Sequence, residues 1–565
     1  MNLEELEKTE VWELFEKGRN YLRRINAYSD TDKNYRMYCG NQWEGAKIDG
    51  IEQAQYNFIE TIVNHKVSVL NQNLWAINYS SENFDNENFR QTAEDTCKLL
   101  NKKAAKVWEK DQVDYLVREL SDDACINDEG VWYVTYDEET QSPINELLNK
   151  TDVQYGNENS SNIQTQPYIV ISQRRSVIEI QELARKNGVS EEKLKYIVGD
   201  NDYFDEAGES AKYEKDDKCT LVTKMWKDKG KVWYQRATKF VEVSKKENSG
   251  LNYYPLSHFI WKSKKGSARG EGEVRYLIPN QLELNKTLAR MLLSVKQNAY
   301  PTKVVNIEKI ANPSAINKVG ATIKVSGGST VDDVNKIFST ITPAQMSTDV
   351  AKTISDLLGI TRDLKNASNI ATGGVNPEQA SGKAILAVQQ AAQQPIVKQL
   401  TNLKLCIEEI ARIWLDMWIT YTSDTLKLEE DITDALGNET TRIVDVPRSI
   451  LENLKAEVKV DITPKSPFDK YARELSLENL FKNGFFNVQR LNELKIYANI
   501  LPDDSTMPKQ DILKAIELEE QEQEKIAQIN SQAQLMMMRA NQFINNDPES
   551  QASQINEALA GVPTE

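Results

Sequence analysis

Residues 270–300 read GEGEVRYLIPNQLELNKTLARMLLSVKQNAY, and this stretch decides the fold. From 280 to 299 apolar residues recur at spacings of three and four, which predicts one stripe along a helix: Leu284, Leu288, Met291, Leu292 and Val295. Pro279 has no N–H to donate, so we expect it in the first turn of this helix. A helix of about 20 residues is roughly 30 Å long. Its other face carries the basic residues Lys286, Arg290 and Lys296.

The segment after this helix contains two more helical patterns. A small αβ insert with strands at 302–306 and 321–325 comes first, and a shorter helix is predicted at 346–358. Residues 359–380 are rich in Gly and Asn, as in a flexible polar loop. After Pro395 an apolar seam alternates spacings of four and three from Ile396 to Tyr421, over about 39 Å: Ile396, Leu400, Leu403, Ile407, Ile410, Trp414, Met417 and Tyr421. This seam is typical of helices packed side by side and also of one long core helix, and the two interpretations are compatible.

The flanking sequence predicts an α+β fold. Residues 1–120 have helical spacing, with helices expected at 57–74 and 89–120. Residues 141–166 are rich in Asn, Gln and Ser, which predicts a mobile surface loop. Beyond 545 disorder is expected. Strands are predicted from β-branched and aromatic runs at 131–136, 168–171, 220–226, 231–234, 256–261 and 443–462, and helices at 468–520.

Composition limits the classes of function. The chain has 565 residues and a formal net charge of −16, which argues against wrapping nucleic acid. It is compatible with a surface past which DNA slides, because repulsion of phosphate prevents sticking. No apolar run is long enough for a transmembrane helix, and the acidic start of the chain does not resemble a signal peptide, so we expect a cytoplasmic origin. The five cysteines form no CxxC pair, and reduced thiols are expected.

Catalytic motifs are not recognisable in this sequence. Ala380-Ser381-Gly382-Lys383-Ala384 lacks the first glycine and the final hydroxyl residue of a phosphate-binding loop. His65 and His258, the two histidines, are expected to be packed or surface residues. One acidic cluster could hold magnesium for a nuclease: Asp122, Asp123, Asp128 and Glu129. The favoured interpretation is that these residues form a helix end and a solvated turn. We expect no enzyme activity, no cofactor and no metal.

Five short motifs carry a family resemblance. They are Tyr38-Cys39-Gly40-Asn41-Gln42-Trp43, residues 272–285, Ala299-Tyr300-Pro301, Leu358-Gly359-Ile360-Thr361-Arg362-Asp363 and residues 380–384. In this order they resemble the portal (head-to-tail connector) proteins of tailed double-stranded DNA bacteriophages. The resemblance covers most of residues 30–465.

The resemblance implies a mainly helical portal-type fold with wing, stem, clip and short crown regions, assembled as a ring. The implied regions are a wing at 1–269, helical and then α+β; a first stem helix at 270–300; a clip at 301–345; a second stem helix at 346–360; a tunnel loop at 361–379; the rest of the wing at 380–465; a crown-like helical region at 466–545; and a disordered tail at 546–565.

A portal role is the function that the resemblance implies. About twelve copies would close into a ring at one capsid vertex, through which DNA is packaged and ejected. Implied partners are the packaging terminase, capsid and scaffolding proteins, and tail or head-completion proteins, with no membrane. The expected location is the virion, after assembly in the host cytoplasm. Another structural virion protein, or the metal-dependent nuclease above, remains the alternative.

Three sets of residues are the candidate sites. Residues 262–303 hold nine bases and three acids, so DNA contacts are predicted for Lys286, Arg290, Lys296, Arg362 and Lys365, with pairing to acids of neighbouring subunits as the alternative. The tunnel loop is represented by Thr361, Asn366, Asn369, Gly373 and Gly374. The helix predicted to pack subunits together is the seam of Ile396, Leu400, Leu403, Ile407, Ile410 and Trp414.

Overall fold

The computed structural model separates the chain into two compact units, Met1–Thr463 and Pro464–Glu565. The residues it describes are 7–43, 53, 55–81, 87–199, 218–300, 302–316, 318, 320, 322–325, 338–341, 349–364, 394–433, 439–454 and 456–464, and, beyond these, 477, 480, 491–500 and short stretches between 513 and 537.

The N-terminal part of the first unit is helical and contains one strand. Its helices are α1 (Glu10–Arg24), α2 (Ala27–Tyr38), α3 (Phe58–Leu70), α4 (Glu87–Lys110) and α5 (Val113–Asn127), and β1 (Asn73–Ser81) follows α3. Thr9 caps α1 by accepting from the Trp12 N–H. The prediction of one helix at 89–120 is wrong, because Gln112 is left-handed (φ 50°) and separates α4 from α5. The strand β1 was also not predicted, although its burial alternates as a half-buried strand requires.

Two antiparallel sheets follow. Their strands are β2 (Glu129–Asp137), β3 (Ser142–Leu148), β4 (Val153–Tyr155), β5 (Tyr168–Ser176), β6 (Lys218–Asp228), β7 (Lys231–Ala237), β8 (Glu247–Asn248) and β9 (Leu256–Ile260). The orders are β3-β2-β9 and β4-β5-β6-β7-β8. The helices α6 (Val177–Lys186) and α7 (Glu191–Leu194) lie between β5 and β6 in sequence. Mixed helices and strands confirm the α+β class.

The hairpin prediction is confirmed and the loop prediction is wrong. Lys229 and Gly230 both have positive φ in the turn between β6 and β7, the conformation that suits a two-residue hairpin. Residues 141–166 contain β3, β4 and two short 3-10 turns, and β3 pairs with β2 along its whole length. Buried Gln166 holds the remainder by bonding to the backbone of Asn157 and Ser160.

Two helices and a small sheet form the central segment. These are α8 (Val274–Ala299), β10 (Thr302–Val305), β11 (Phe338–Ile341) and α9 (Asp349–Leu364), and β10 pairs antiparallel with β11. Pro279 lies inside α8 and not in its first turn, because the helix begins at Val274. The predicted strand at 321–325 is wrong for its described residues, among which only Val325 forms a bridge, to Ile310.

The remaining elements of the first unit complete its main core. They are α10 (Val397–Tyr421), β12 (Thr425–Thr433), β13 (Glu439–Pro447), α11 (Arg448–Asn453) and β14 (Ala456–Pro464). The strand β14 pairs with β1, and β12 pairs with β13. Trp414 and Trp418 of α10 are fully buried, and the Tyr79 hydroxyl donates to the Ala411 carbonyl, 2.9 Å away. Helix α10 is therefore a central element of this core.

The second unit is described by one helix and shorter pieces. Helix α12 (Leu491–Ile500) carries the buried residues Tyr497 and Ala498. Among the described residues of both units, no helix combines the length and apolar character that a membrane span needs.

Candidate functional site

The base of α8 is fixed by a buried network of amide side chains. Asn285 Nδ2 donates to Gln42 Oε1 at 2.5 Å, and Gln281 Nε2 donates to Asn285 Oδ1 at 2.9 Å. Gln42 Nε2 donates in turn to the Met37 carbonyl and to Asn57 Oδ1. Because buried amides are costly unless their hydrogen bonds are made, this network fixes α8 against the segment after α2. Gln42 belongs to the motif Tyr38-Cys39-Gly40-Asn41-Gln42-Trp43. The network therefore gives this motif a structural role in holding α8.

The turn that leads into α8 is packed too closely for a side chain. A Cβ on Gly272 would lie 2.8 Å from the Cys125 carbonyl oxygen, and one on Gly270 would overlap the Ile260 side chain. The Gly272 N–H donates to Asp128 Oδ1 at 2.8 Å. These glycines therefore allow the backbone to approach the end of α5.

A buried ion cluster lies beside this turn. Arg269 Nη1 is 2.5 Å from Glu129 Oε1, and the same guanidinium donates to the Lys150 and Val153 carbonyls. Glu158 lies 3.4 Å from it. Burial raises the pKa of Glu129, against the opposing effect of the Arg269 charge. The cluster joins strands from both sheets to the start of α8.

Two of the four acidic residues of the nuclease alternative, Asp128 and Glu129, form ion pairs within this arrangement. Asp128 is 2.9 Å from Lys150, and Glu129 is paired with Arg269. Burial raises the pKa of Asp122. In the part of the chain that the structure describes, no group of three or more His, Cys, Asp or Glu side chains could hold a metal ion. No observation on these residues therefore favours metal-dependent cleavage.

Only some of the residues predicted to contact DNA lie together in the structure. Lys286 and Arg290 are exposed on one face of α8, 4.0 and 3.9 Å from Glu283. Lys296 is exposed nearer the end of the same helix. Arg362 is half-buried in α9. Lys365 lies outside the described residues.

The first four residues of the predicted tunnel loop, 361–364, are helical. Helix α9 continues to Leu364, so Thr361 is helical and buried, and its Oγ1 accepts from Asn280 Nδ2 at 3.1 Å. This bond joins the first turns of α8 to the last turn of α9. Residues 380–384 and the other loop candidates lie outside the described residues: Asn366, Asn369, Gly373 and Gly374.

The seam predicted to pack subunits together is occupied within the chain. Leu400 is partly buried, and the other members are buried in the chain's own core: Ile396, Leu403, Ile407, Ile410 and Trp414. Side chains with almost no exposed area leave little for a neighbouring subunit to contact. The seam is therefore the core side of α10.

Exposed apolar residues lie on α8, on α9 and around the small sheet, as they also do on other elements, including Val397 and Leu405 of α10. Leu284 at the base of α8 is fully buried, whereas Val295 and Tyr300 at its far end are 57% and 82% exposed. The other exposed members are Leu292, Val304, Ile307, Ile341 and Ile360. The sequence pattern predicted the apolar stripe on α8. It did not predict which residues of the stripe remain exposed to solvent in the single chain.

Comparison with known proteins agrees with this architecture. The family model for phage P22-like portal proteins matches residues 149–558, which is more than half of the chain. No curated protein matches the chain. The matched residues include the strands from β4 onward, the paired helices α8 and α9, and the long helix α10. This chain belongs to the phage P22-like portal protein family.

Proposed function

We propose that this chain closes into a ring of about twelve copies at one capsid vertex and that the ring encloses a channel for DNA. Family membership supports a structural role in the phage head. In the proposed ring, α8 and α9 are the stem helices, and the β10–β11 sheet belongs to the clip. The residues between α9 and α10 contribute the tunnel loop.

The exposed apolar surface on the stem and clip carries this proposal. Apolar side chains cover the base of α8, but its last two turns leave Leu292 and Val295 open to water. Ile307, just beyond β10, is 71% exposed. Burial of such residues contributes about 25 cal/mol for each Å² removed from water, so a neighbouring copy would be stabilised on this surface.

The opposite face of α8 is suited to DNA. Val295 follows Lys286 by about two and a half helical turns, so the two side chains point to opposite sides of the helix. Lys286 and Arg290 are exposed and have only a distant carboxylate, Glu283, as a described partner. An apolar face toward neighbouring subunits and a basic face toward the channel would guide phosphate in a chain that is otherwise acidic.

The proposed ring is a conduit and not a motor. Packaging would be powered by a terminase that docks at the clip, and tail or head-completion proteins would bind there afterwards. Capsid and scaffolding proteins would contact the wing during assembly in the host cytoplasm. The chain itself needs no cofactor for this role.

Negative-stain imaging and mass photometry of the purified protein test the proposal. We expect hollow rings from the unmodified chain. The double variant Leu292→Asp/Val295→Asp should give single chains, because two carboxylates would be buried at each contact between copies.

A matched control separates this contact from a general effect of charge. Ile178 and Val198 are also exposed, and they lie away from α8 in the α6–α7 region. The variant Ile178→Asp/Val198→Asp should still form rings. Solid particles or lone chains at every concentration of the unmodified protein would refute the ring, whereas rings from the Leu292/Val295 variant would refute only this interface.

A further inference from the structure

A basic pocket opens between α4 and β12, far in sequence from the proposed channel. Its volume is about 560 Å³. Five of its lining side chains are lysines: Lys102, Lys103, Lys106, Lys110 and Lys427. The acids that line it are Glu109 and Glu429. The lining therefore has an excess of positive charge in a chain whose net charge is −16.

The pocket is a built feature of the fold. Its floor contains the buried side chains Val107 and Leu428. The Lys103 ammonium donates to the Lys427 carbonyl at 3.5 Å and lies 5.9 Å from the centre of the Trp418 ring. Thr140, in the turn between β2 and β3, and Ser142, the first residue of β3, complete the lining, and the Thr140 hydroxyl donates to Asp137 Oδ2 at 2.6 Å. Elements from three parts of the chain thus line one cavity.

The spacing of the lysines on α4 forms a linear array. Lys106 lies three positions after Lys103, and Lys110 lies four positions after Lys106. These spacings place the three lysines on one face of the helix. At 1.5 Å per residue the array is about 10 Å long. One DNA strand carries a phosphate for about every 3.4 Å of rise along the axis, and rotation about the axis separates successive phosphates further, so an array of this length faces about two of them.

The charge in the pocket is only partly neutralised. Lys106 forms an ion pair with Glu429. Burial lowers the pKa of Lys103 to about 8, Glu429 opposes that change, and Lys110 adds to it. A bound anion would stabilise the partly buried Lys103 ammonium, because a nearby negative charge favours the protonated form of lysine.

We propose that this pocket binds phosphate groups, either those of a DNA backbone or free phosphate. Lysine is a point-charge donor without the planar fork of arginine, which fits phosphate binding that does not read a sequence. None of the described residues that line the pocket is an arginine or an aromatic residue, so it offers no surface for stacking bases or for bidentate recognition of carboxylates. An acidic peptide is therefore the less favoured occupant.

Fluorescence anisotropy with a labelled 20-base-pair duplex tests the proposal on the full chain. The variant Lys110→Gln/Lys427→Gln removes two exposed lysines and leaves the partly buried Lys103 in place. We expect a roughly tenfold loss of duplex affinity at low salt and a slope of affinity against salt that is smaller by about two. The matched control Lys186→Gln/Lys193→Gln makes the same charge change on α6 and α7 and should alter affinity by less than about twofold.

Inorganic phosphate identifies the source of the phosphate, and poly-glutamate tests the acidic-peptide alternative. Inorganic phosphate, titrated calorimetrically against chloride at equal ionic strength, should bind the unmodified chain and not the pocket variant if the site takes free phosphate. If it takes only a DNA backbone, the duplex alone should show this difference. Equal duplex affinity and equal phosphate binding in both variants would overturn the proposal, as would lysine-dependent binding of poly-glutamate alone. All of these measurements are independent of whether the protein forms a ring.

Discussion

Asn285 on α8 donates a 2.5 Å hydrogen bond to Gln42, although 243 residues separate them in sequence. Both side chains are buried, and Gln281 bonds to Asn285 from one helical turn away. The Gln281 Oε1 also accepts from the Phe58 N–H at the start of α3. The base of α8 is thus attached to two parts of the N-terminal region by directional bonds, which fix both the position and the rotation of the helix.

Removal of the Asn285 amide should loosen this attachment. Asn285→Ala leaves Gln42 Oε1 and one Gln281 N–H without their partners in a buried place, so we expect a loss of about 2 to 3 kcal/mol in the free energy of unfolding. Urea unfolding followed by tryptophan fluorescence measures this change. Asn298→Ala, on the exposed end of the same helix, should change the stability by less than about 0.5 kcal/mol. Equal effects of the two variants would show that the network is not stabilising.

Two glycines near the stem should respond in opposite directions to alanine. Gly272→Ala places a methyl 2.8 Å from the Cys125 carbonyl and 3.0 Å from the Asp128 amide nitrogen, so backbone must shift and the free energy of unfolding should fall. At Gly359 in α9 an added methyl would have no atom within 4 Å, and alanine there should add about 0.5 to 1 kcal/mol. Differential scanning calorimetry of both variants measures whether each substitution lowers or raises the stability. A stabilised Gly272→Ala variant would contradict the close packing.

The sequence alone predicts the elements whose signals are local. The strand at 131–136 follows from an unbroken β-branched and aromatic run, and it is confirmed within β2. The hairpin follows from Gly230, whose positive φ the turn needs. The stripe on α8 follows from spacing. Each of these depends on neighbours in sequence, which a single chain displays directly.

Features that depend on distant partners could not be predicted. Strand β3 has the polar residues Asn145 and Glu146 in its middle, and only its pairing with β2 makes it a strand. Gln112 ends a helix in a left-handed conformation without the glycine that would signal it. The apolar seam predicted a packed face on α10, and this face is packed. The residues that it packs against belong to the same chain and not to a neighbouring subunit. The amide network likewise requires a partner 243 positions away.

His258 should make the stability depend on pH. Burial lowers its pKa to about 4, with the Arg269 charge as a second cause, and its buried Nδ1 has no hydrogen-bond partner among the described residues. In the unfolded chain the imidazole binds a proton near pH 6.5. Between pH 6.5 and 4 the unfolded state therefore holds more protons, so stability falls as the pH falls, by up to about 1.4 kcal/mol per pH unit.

A variant isolates this contribution from the carboxylates that titrate nearby. His258→Gln cannot take up a proton, so its free energy of unfolding should fall less steeply between pH 6.5 and 4 than that of the unmodified chain. Burial raises the pKa of Glu129 and Glu409, and these groups act in the opposite direction in both proteins. Their contribution cancels in the difference. Parallel curves for the two proteins would mean that His258 takes up its proton over the same pH range in the folded and the unfolded chain, so that burial does not lower its pKa.

The exposed bases of α8 should affect the amount of DNA packaged and not the stability of the fold. Lys286 and Arg290 are 55% and 67% exposed, and their partner Glu283 is 4.0 and 3.9 Å away, so these pairs contribute little to folding. Lys286→Gln/Arg290→Gln should therefore keep the free energy of unfolding within about 0.5 kcal/mol and still form rings. If the two side chains face DNA, the amount of DNA packaged or retained in heads should fall.

The bases at and just beyond the end of α9 provide an independent comparison. Arg362 lies in the last turn of α9, next to the Thr361 contact with Asn280 at the base of α8, so Arg362→Ala combined with Lys365→Ala removes a second pair of the bases predicted to contact DNA. This variant should also change packaging or DNA retention while rings persist. Complementation of a portal-deficient phage, with encapsidated DNA measured by quantitative PCR, compares both variants with Lys186→Gln/Lys193→Gln. Normal DNA content in both the stem and the loop variants would remove DNA as their partner and favour pairing with acids on neighbouring subunits, because that pairing is the remaining role predicted for these bases.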